Sequence, residues 1–192
     1  MKKLALGMIF CLLLCGCTIR YPDLDRAAAL RSRFLGESCS FDATVTADYG
    51  EALWTFSLDC RAGLDLSFTV TAPEEIAGIR GRTGTDGASL LYDGQALGFP
   101  LLADGLLSPA GAPWVLVQAL RRGCFRTCQE DGTGMELCID DRYEDKALTC
   151  IVRFSGEDIP TGAEILWEGR RILTLTLENF HFESPSCPDS IE

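Results

Sequence analysis

Three consecutive stretches that alternate apolar with polar residues, and two stretches with helical spacing, predict one mainly β domain with two helices. In the first stretch Cys39, Phe41, Ala43, Val45 and Ala47 interleave with Ser40, Asp42, Thr44, Thr46 and Asp48. In the second Ala52, Trp54, Phe56, Leu58 and Cys60 interleave with Leu53, Thr55, Ser57 and Asp59. In the third Leu64, Leu66, Phe68, Val70 and Ala72 interleave with Asp65, Ser67, Thr69 and Thr71. A period of two sends alternate side chains to opposite faces, so each stretch is a strand with one apolar and one polar face, the pattern of an antiparallel meander. The 192 residues suit a single domain, and at 47% hydrophobic the chain is too apolar to be disordered. A net charge of −11 argues against phosphate neutralisation, and so against nucleic acid as a partner.

The amino terminus precedes that domain. Met1-Lys2-Lys3 is a basic start, and Leu4 to Leu14 is an uncharged apolar run. As a helix the run rises roughly 16 Å, about half of a ~30 Å hydrocarbon core, so it is too short to span a bilayer. It has the form of a secretory leader. Leu14-Cys15-Gly16-Cys17 resembles the bacterial lipobox, which implies a leader over residues 1–16 and a diacylglyceryl group on Cys17. The expected location is then the extracytoplasmic face of a cell membrane. From Cys17 onward the chain has 176 residues, with 15 basic against 28 acidic, a net charge of −13. Lys146 is its sole lysine, so attachment to anionic headgroups would rest on lipid and not on a basic patch. Residues 17–22 form a lipidated tether, and its five residues after Cys17 reach at most about 17 Å.

Within the single domain expected over residues 23–192, Asp23 can cap a helix that Gly36 stops. Ala27, Leu30 and Phe34 share one face of it, leaving Arg26, Arg31 and Arg33 to solvent. A two-residue loop at Tyr49-Gly50 would pair Ala47 with Ala52, Val45 with Trp54, Ala43 with Phe56, Phe41 with Leu58, and Cys39 with Cys60. A three-residue loop at Arg61-Ala62-Gly63 would set Leu58 opposite Leu66, Phe56 opposite Phe68 and Trp54 opposite Val70. Short strands follow at Ile79-Arg80, Ser89 to Tyr92 and Gln95 to Leu97, with Asp86-Gly87 and Asp93-Gly94 as turns. After the apolar stretch Phe99 to Leu107, a second helix begins near Ser108-Pro109 or Pro113 and stops at Gly123. Trp114, Leu116, Val117 and Leu120 make it apolar over most of its circumference, so it must be largely buried. Strands then return at roughly Cys124 to Gln129, Met135 to Asp140, Leu148 to Phe154, Glu164 to Trp167 and Arg171 to Phe182, giving eight to eleven in all.

The order of these features carries a family resemblance. A lipobox, an amphipathic helix and a three-strand meander lead into Phe68-Thr-Val-Thr-Ala-Pro73-Glu74, then Gly78-Ile79, Leu91-Tyr92-Asp93-Gly94 and a helix ending Ala119-Leu120-Arg121-Arg122-Gly123. This resembles the outer-membrane lipoprotein carrier (LolA-like) superfamily, and within it the lipid-anchored lipoproteins of endospore-forming Firmicutes, some of them spore-germination lipoproteins. The resemblance implies an unclosed antiparallel β-barrel, a half-pipe whose concave apolar face is covered by helices and can hold an acyl chain. Candidate residues of that face are Val45, Trp54, Phe56, Phe68 and Val70 on the meander, with Trp114 and Val117 on the second helix. They form either an ordinary core or the wall of an acyl-sized cavity. A chain tethered by its own lipid does not suit shuttling across an envelope, so a scaffold role is the alternative, with Phe99, Leu101 and Leu106 as the partner-docking candidates.

Ten cysteines look like a disulfide scaffold, but the lipobox resemblance implies that Cys11 and Cys15 leave with the leader and that Cys17 carries lipid. Of the seven others, Cys39 and Cys60 fall at a non-hydrogen-bonded pair in the register above, with Cα atoms about 4.5 Å apart and within disulfide reach. Cys138 and Cys150 lie on neighbouring strands but on opposite faces, and the pairing of Cys124, Cys128, Cys138, Cys150 and Cys187 stays open. Their spacing lacks a Cys-x₂-Cys knuckle, so no metal is expected. His181 is the only histidine. Leu173, Leu175 and Leu177 share a face that Phe180 and Phe182 miss by one residue, so either a bulge near Asn179 shifts the phase or the strand ends there. No G-x-S-x-G or phosphate-binding loop occurs, and acid pairs such as Asp140-Asp141 read as solvated turns. The expectation is a binding lipoprotein without cofactor or catalytic residues, that takes a lipid or an envelope protein. A hydrolase assisting cell-wall turnover is the weakest alternative.

Overall fold

Alternation over β1 (Ser38–Asp48), β2 (Leu53–Ala62) and β3 (Leu66–Ala72) builds the meander the sequence predicts. The computed structural model describes residues 22–50, 52–85, 87–92, 95–99, 102–103, 106–130, 132–143 and 146–183. The leader, Cys17, Leu101 and Cys187 lie outside those residues. The meander continues through β4 (Arg80–Gly84), β5 (Gly87–Tyr92) and β6 (Gln95–Phe99). A small pair, β7 (Leu102–Ala103) and β8 (Leu106–Leu107), stands apart from the main sheet. The carboxyl-terminal strands are β9 (Cys124–Glu130), β10 (Gly134–Tyr143), β11 (Lys146–Ser155), β12 (Pro160–Trp167) and β13 (Arg170–Glu183). Among the described residues two α-helices, α1 (Pro22–Gly36) and α2 (Ala112–Arg122), and short 3₁₀ turns at Glu74–Ile76 and Pro109–Gly111 complete the fold.

Eleven strands form one antiparallel sheet in the order β6-β5-β4-β3-β2-β1-β13-β12-β11-β10-β9, and its outer strands β6 and β9 do not meet. The last strand returns beside the first, so β1 and β13 join two meanders across the middle. Helix α2 touches β2 on one side and β10 through β13 on the other, so the sheet curls around it as an open half-pipe. Ala112 to Val117, Ala119 and Leu120 are all buried there, as a helix apolar over most of its surface requires. Val45, Phe68, Val70, Trp114 and Val117 belong to this core, each at most 5% exposed.

The parity of the meander is as the sequence predicts, but its register is not. Cys39 faces Ala62, Phe41 faces Cys60, Ala43 faces Leu58, Val45 faces Phe56 and Ala47 faces Trp54. The connection runs over residues 49–52, two longer than expected, with Tyr49 N–H donating to the Ala52 carbonyl at 3.1 Å. The next loop is Gly63-Leu64-Asp65, closed by Gly63 N–H to the Asp65 carbonyl at 2.8 Å. That pairs Ala62 with Leu66, Cys60 with Phe68 and Leu58 with Val70. Leu64, expected inside a strand, stands at the loop tip, 96% exposed. The expected Cys39–Cys60 juxtaposition is therefore not formed: the two lie diagonally, and both are free, buried thiols. Cys138 faces Ile151 and Cys150 faces Ile139, so these two fall on opposite faces as expected.

The phase change in β13 is a bulge. Ser40 pairs with His181 and Asp42 with Glu178, so one residue of β1 is matched by two of β13. Asn179 takes up the extra residue at φ +52°, a conformation asparagine adopts more readily than other non-glycine residues. The bulge turns Phe180 and Phe182 inward. There Phe180 stacks on Phe41 at 5.4 Å between ring centroids, and Phe182 meets Phe34 of α1 edge-on at 5.0 Å.

Arginines anchor α1 instead of pointing freely to solvent as expected. Arg26 Nε donates to Asp158 Oδ1 at 2.7 Å, and the same guanidinium pairs with Glu130. Arg31 donates to the Leu120 carbonyl at 3.1 Å and lies 3.8 Å from the Phe125 ring centroid, while Arg33 lies over Phe182. Glu130 ends β9 and Asp158 lies in the turn after β11, whereas Phe182 lies beside the start of β1. All three belong to the same rim of the half-pipe, so α1 lies across that rim.

Candidate functional site

The opposite rim is where the apolar concave face meets solvent. It is formed by the ends of β1 and β3 and the starts of β2, β4 and β6. Trp54 lies on the same face of β2 as buried Leu58 and Cys60, yet it is 56% exposed. The reason is local. β3 stops at Ala72, opposite Ser57, so Trp54 has a strand neighbour only on the β1 side, and that neighbour is the methyl of Ala47. Phe56, one step inward, is half-buried. Across the meander, Leu97 of β6 shares the inward parity through its pairing with Leu90 and is 61% exposed.

Of the seven concave-face candidates, five are sealed in the core, and Trp54 and Phe56 open outward. Isolated exposed apolar residues are ordinary on a protein surface. Trp54 and Phe56 differ in continuing a buried apolar row to the rim. Beside them Tyr49 is partly buried, which pushes its phenol pKa above the ordinary value, and its hydroxyl donates to the Leu107 carbonyl at 2.8 Å. That bond ties the β7–β8 pair to the end of β1. Of the docking candidates, Leu101 lies outside the described residues, and Phe99 and Leu106 end β6 and begin β8.

The clefts lie at the other rim, and one of them reaches the apolar face at Trp114, beside exposed Leu35 and Leu64. A cleft of about 480 Å³ lies at the α1 rim, lined by Glu130, Glu136, Arg153, Phe154 and neighbours. Another of about 270 Å³ lies between the end of α1, the Gly63-Leu64 loop and Arg121. Among the described residues no group of three or more His, Cys, Asp or Glu side chains could hold a metal ion. None of the described helices is long and apolar enough to cross a membrane.

The polar constellation that sequence reading missed is Ser40, His181 and Glu183. Ser40 Oγ lies 2.8 Å from His181 Nε2 and donates to Glu183 Oε1 at 3.1 Å, while His181 Nδ1 lies 3.0 Å from the Asn179 carbonyl. Residues 141 positions apart meet because β1 and β13 are neighbours. Period-two counting could have placed Ser40 and His181 on one face only if the bulge at Asn179 were already known. Ser40 and His181 are directly paired in the ladder on the convex face, away from the apolar rim, and form a cross-strand polar pair.

Buried thiols complete the chemistry. Desolvation pushes the Cys39 thiol up to about 12, and the thiols of Cys60 and Cys150 higher still. A thiol held neutral in this way is a small apolar side chain and a poor nucleophile.

No protein-family model matches the chain, and no curated protein matches it. Solved structures to which it is similar include an uncharacterized conserved protein from Thermus thermophilus, at 12% identity and TM-score 0.47, covering 84% of this chain and 88% of that one. A LolA superfamily protein from Nitrosomonas europaea is similar at 8% identity and TM-score 0.47, covering 82% and 94%. Mycobacterium tuberculosis lipoprotein LppX is similar at 15% identity and TM-score 0.45, covering 88% and 100%.

Proposed function

We propose that this chain is a lipid-anchored, extracytoplasmic binding lipoprotein of LolA-like type. Its open apolar rim takes an acyl chain or an apolar segment of an envelope protein. The observation that carries this reading is Trp54, 56% exposed at the end of an otherwise buried apolar row. A fully exposed aromatic side chain offers about 150–250 Å², but Trp54 is 56% exposed and Phe56 already half-buried, so at about 25 cal/mol per Å² covering what remains supplies roughly 3–5 kcal/mol before association costs. The anchor reading rests on Leu14-Cys15-Gly16-Cys17 following a basic start and an apolar run. Within the LolA-like superfamily, kinship with spore-germination lipoproteins is part of the proposal and rests on the same sequence features.

Fluorescence of Trp54 tests it, because Trp114 is buried and Trp167 only partly exposed. Titration with palmitate below its micellar concentration, or with a soluble apolar peptide, is expected to give a saturable blue shift that Trp54→Phe lacks. A spectrum that moves for neither probe overturns the proposal. Of the docking candidates of the scaffold alternative, Leu106 adjoins Leu107, whose carbonyl Tyr49 holds at this end, whereas Phe99 ends β6 opposite Ala88 at the α1 rim. Under that alternative, Leu101→Asp with Leu106→Asp abolishes partner pull-down while leaving the fold intact.

A further inference from the structure

The geometry points to an apolar rim that faces away from the anchoring bilayer and receives an apolar segment of a partner protein presented across the aqueous space. This rests on the reading of Cys17 as the anchor. Pro22, where α1 begins, is only the fifth residue after Cys17, a span of at most about 17 Å. One turn into α1, Arg26 is fixed to Glu130 and Asp158, so the tether meets the body at the α1 rim. Trp54 belongs to the other rim. β1, its neighbour, runs from one rim to the other over eleven residues, about 33 Å. Even with strands tilted by about 40° from the axis of the pipe, the rims stand about 25 Å apart.

A ~17 Å tether cannot let the body invert and bring Trp54 down onto the headgroups. Nor does charge draw the body onto its side, since it carries −13 from Cys17 onward with one lysine, and anionic lipid repels such a surface. At the rim nearest the anchor the acidic groups are matched by arginines, Glu130 and Asp158 by Arg26, Glu183 by Arg61 and Asp65 by Arg82, so that end is repelled less than the body as a whole. Lipid monomers of the anchoring membrane would have to cross water to reach Trp54. A partner protein carries its apolar segment there without that step.

The test uses the full lipidated chain in vesicles of phosphatidylcholine with phosphatidylglycerol and a headgroup-spin-labelled phosphatidylcholine. Trp54 emission, taken as the difference from Trp54→Phe, is expected to be quenched by aqueous iodide and untouched by the spin label. A reporter at the other rim, Glu157→Trp in the Trp54→Phe background, is expected to be quenched by the label. Quenching of Trp54 by the label overturns the orientation. Mass spectrometry of the same preparation separates the two failures: an unlipidated Cys17 sinks the anchor reading itself. In cells, p-benzoylphenylalanine at position 54 is expected to cross-link to a peptide rich in Leu, Ile, Val or Phe, and a lipid adduct there overturns the protein occupant.

Discussion

Arg121, in the last turn of α2, donates from Nε to the carbonyl of Phe34, the residue that seats α1, at 2.7 Å. Its Nη1 donates to the Gly63 carbonyl, also at 2.7 Å, so one half-buried guanidinium joins two helices and the β2–β3 loop. Burial lowers its pKa, yet a guanidinium stays charged at every pH at which the protein is folded. Lysine lacks the planar fork needed to reach both carbonyls. Arg121→Lys is expected to lower unfolding free energy by about 1–3 kcal/mol in urea titration, while exposed Arg122→Lys changes it by less than about 0.5 kcal/mol.

Phe34 is buried among Phe180 and Phe182 at the α1 rim. Phe34→Ala removes that wedge and should cost about 3–5 kcal/mol. Native-state hydrogen exchange is expected to show the loss first in α1, with β10 to β13 protected until global unfolding.

Gly81 faces Phe68 across β3 and β4, and the Phe68 ring lies where a Cβ at position 81 would stand. Gly81→Val forces the ring out of the core and is expected to cost about 1–3 kcal/mol. Phe68→Ala combined with Gly81→Val should recover part of the loss, a coupling read from a double-mutant cycle.

Stability should fall at alkaline pH. Burial holds Cys39 at about 12 and raises Cys60 and Cys150, from an ordinary value near 9. The unfolded chain therefore releases thiol protons above about pH 9 that the native chain keeps, so stability is full below that pH and is lost as pH rises towards 12. Each thiol steepens the decline by up to about 1.4 kcal/mol per pH unit. Urea midpoints are expected to be level from about pH 6 to 8 and to drop above about 9, less steeply in Cys60→Ala.

Thiol labelling separates the cysteines by environment. Exposed Cys124 is expected to react with N-ethylmaleimide in the native protein, while Cys39, Cys60 and Cys150 react only after unfolding. Cys39 and Cys60 should then label without a reductant, because the register keeps them apart. A peptide mass showing them joined would overturn that assignment.

Much of this architecture is legible in the sequence, and the part that is not has one physical cause. Alternation reports the face of a residue. It does not report the partner, since sliding a strand by two or four residues returns each side chain to the same face. Alternation thus places Val45 inward correctly but sets Trp54 opposite it in place of Phe56. The same ambiguity hides why Trp54 is open: only the true register shows β3 ending before it. For α1, the burial of Ala27, Leu30 and Phe34 follows from helical spacing, but the anchoring by Arg26 and Arg31 depends on residues far along the chain. The bulge at Asn179, by contrast, can be read from the mismatched parity of two phenylalanines.

That bulge makes the last strand count differently before and after position 179. Insertions and deletions, more than substitutions, are what this stretch cannot absorb. Losing one residue there would leave Leu173, Leu175 and Leu177 in place but turn Phe180 and Phe182 to the convex side, and α1 would lose the rings it sits on. Under the proposed anchoring at Cys17, the first helix would then hang on its tether as a leash while the half-pipe remained folded.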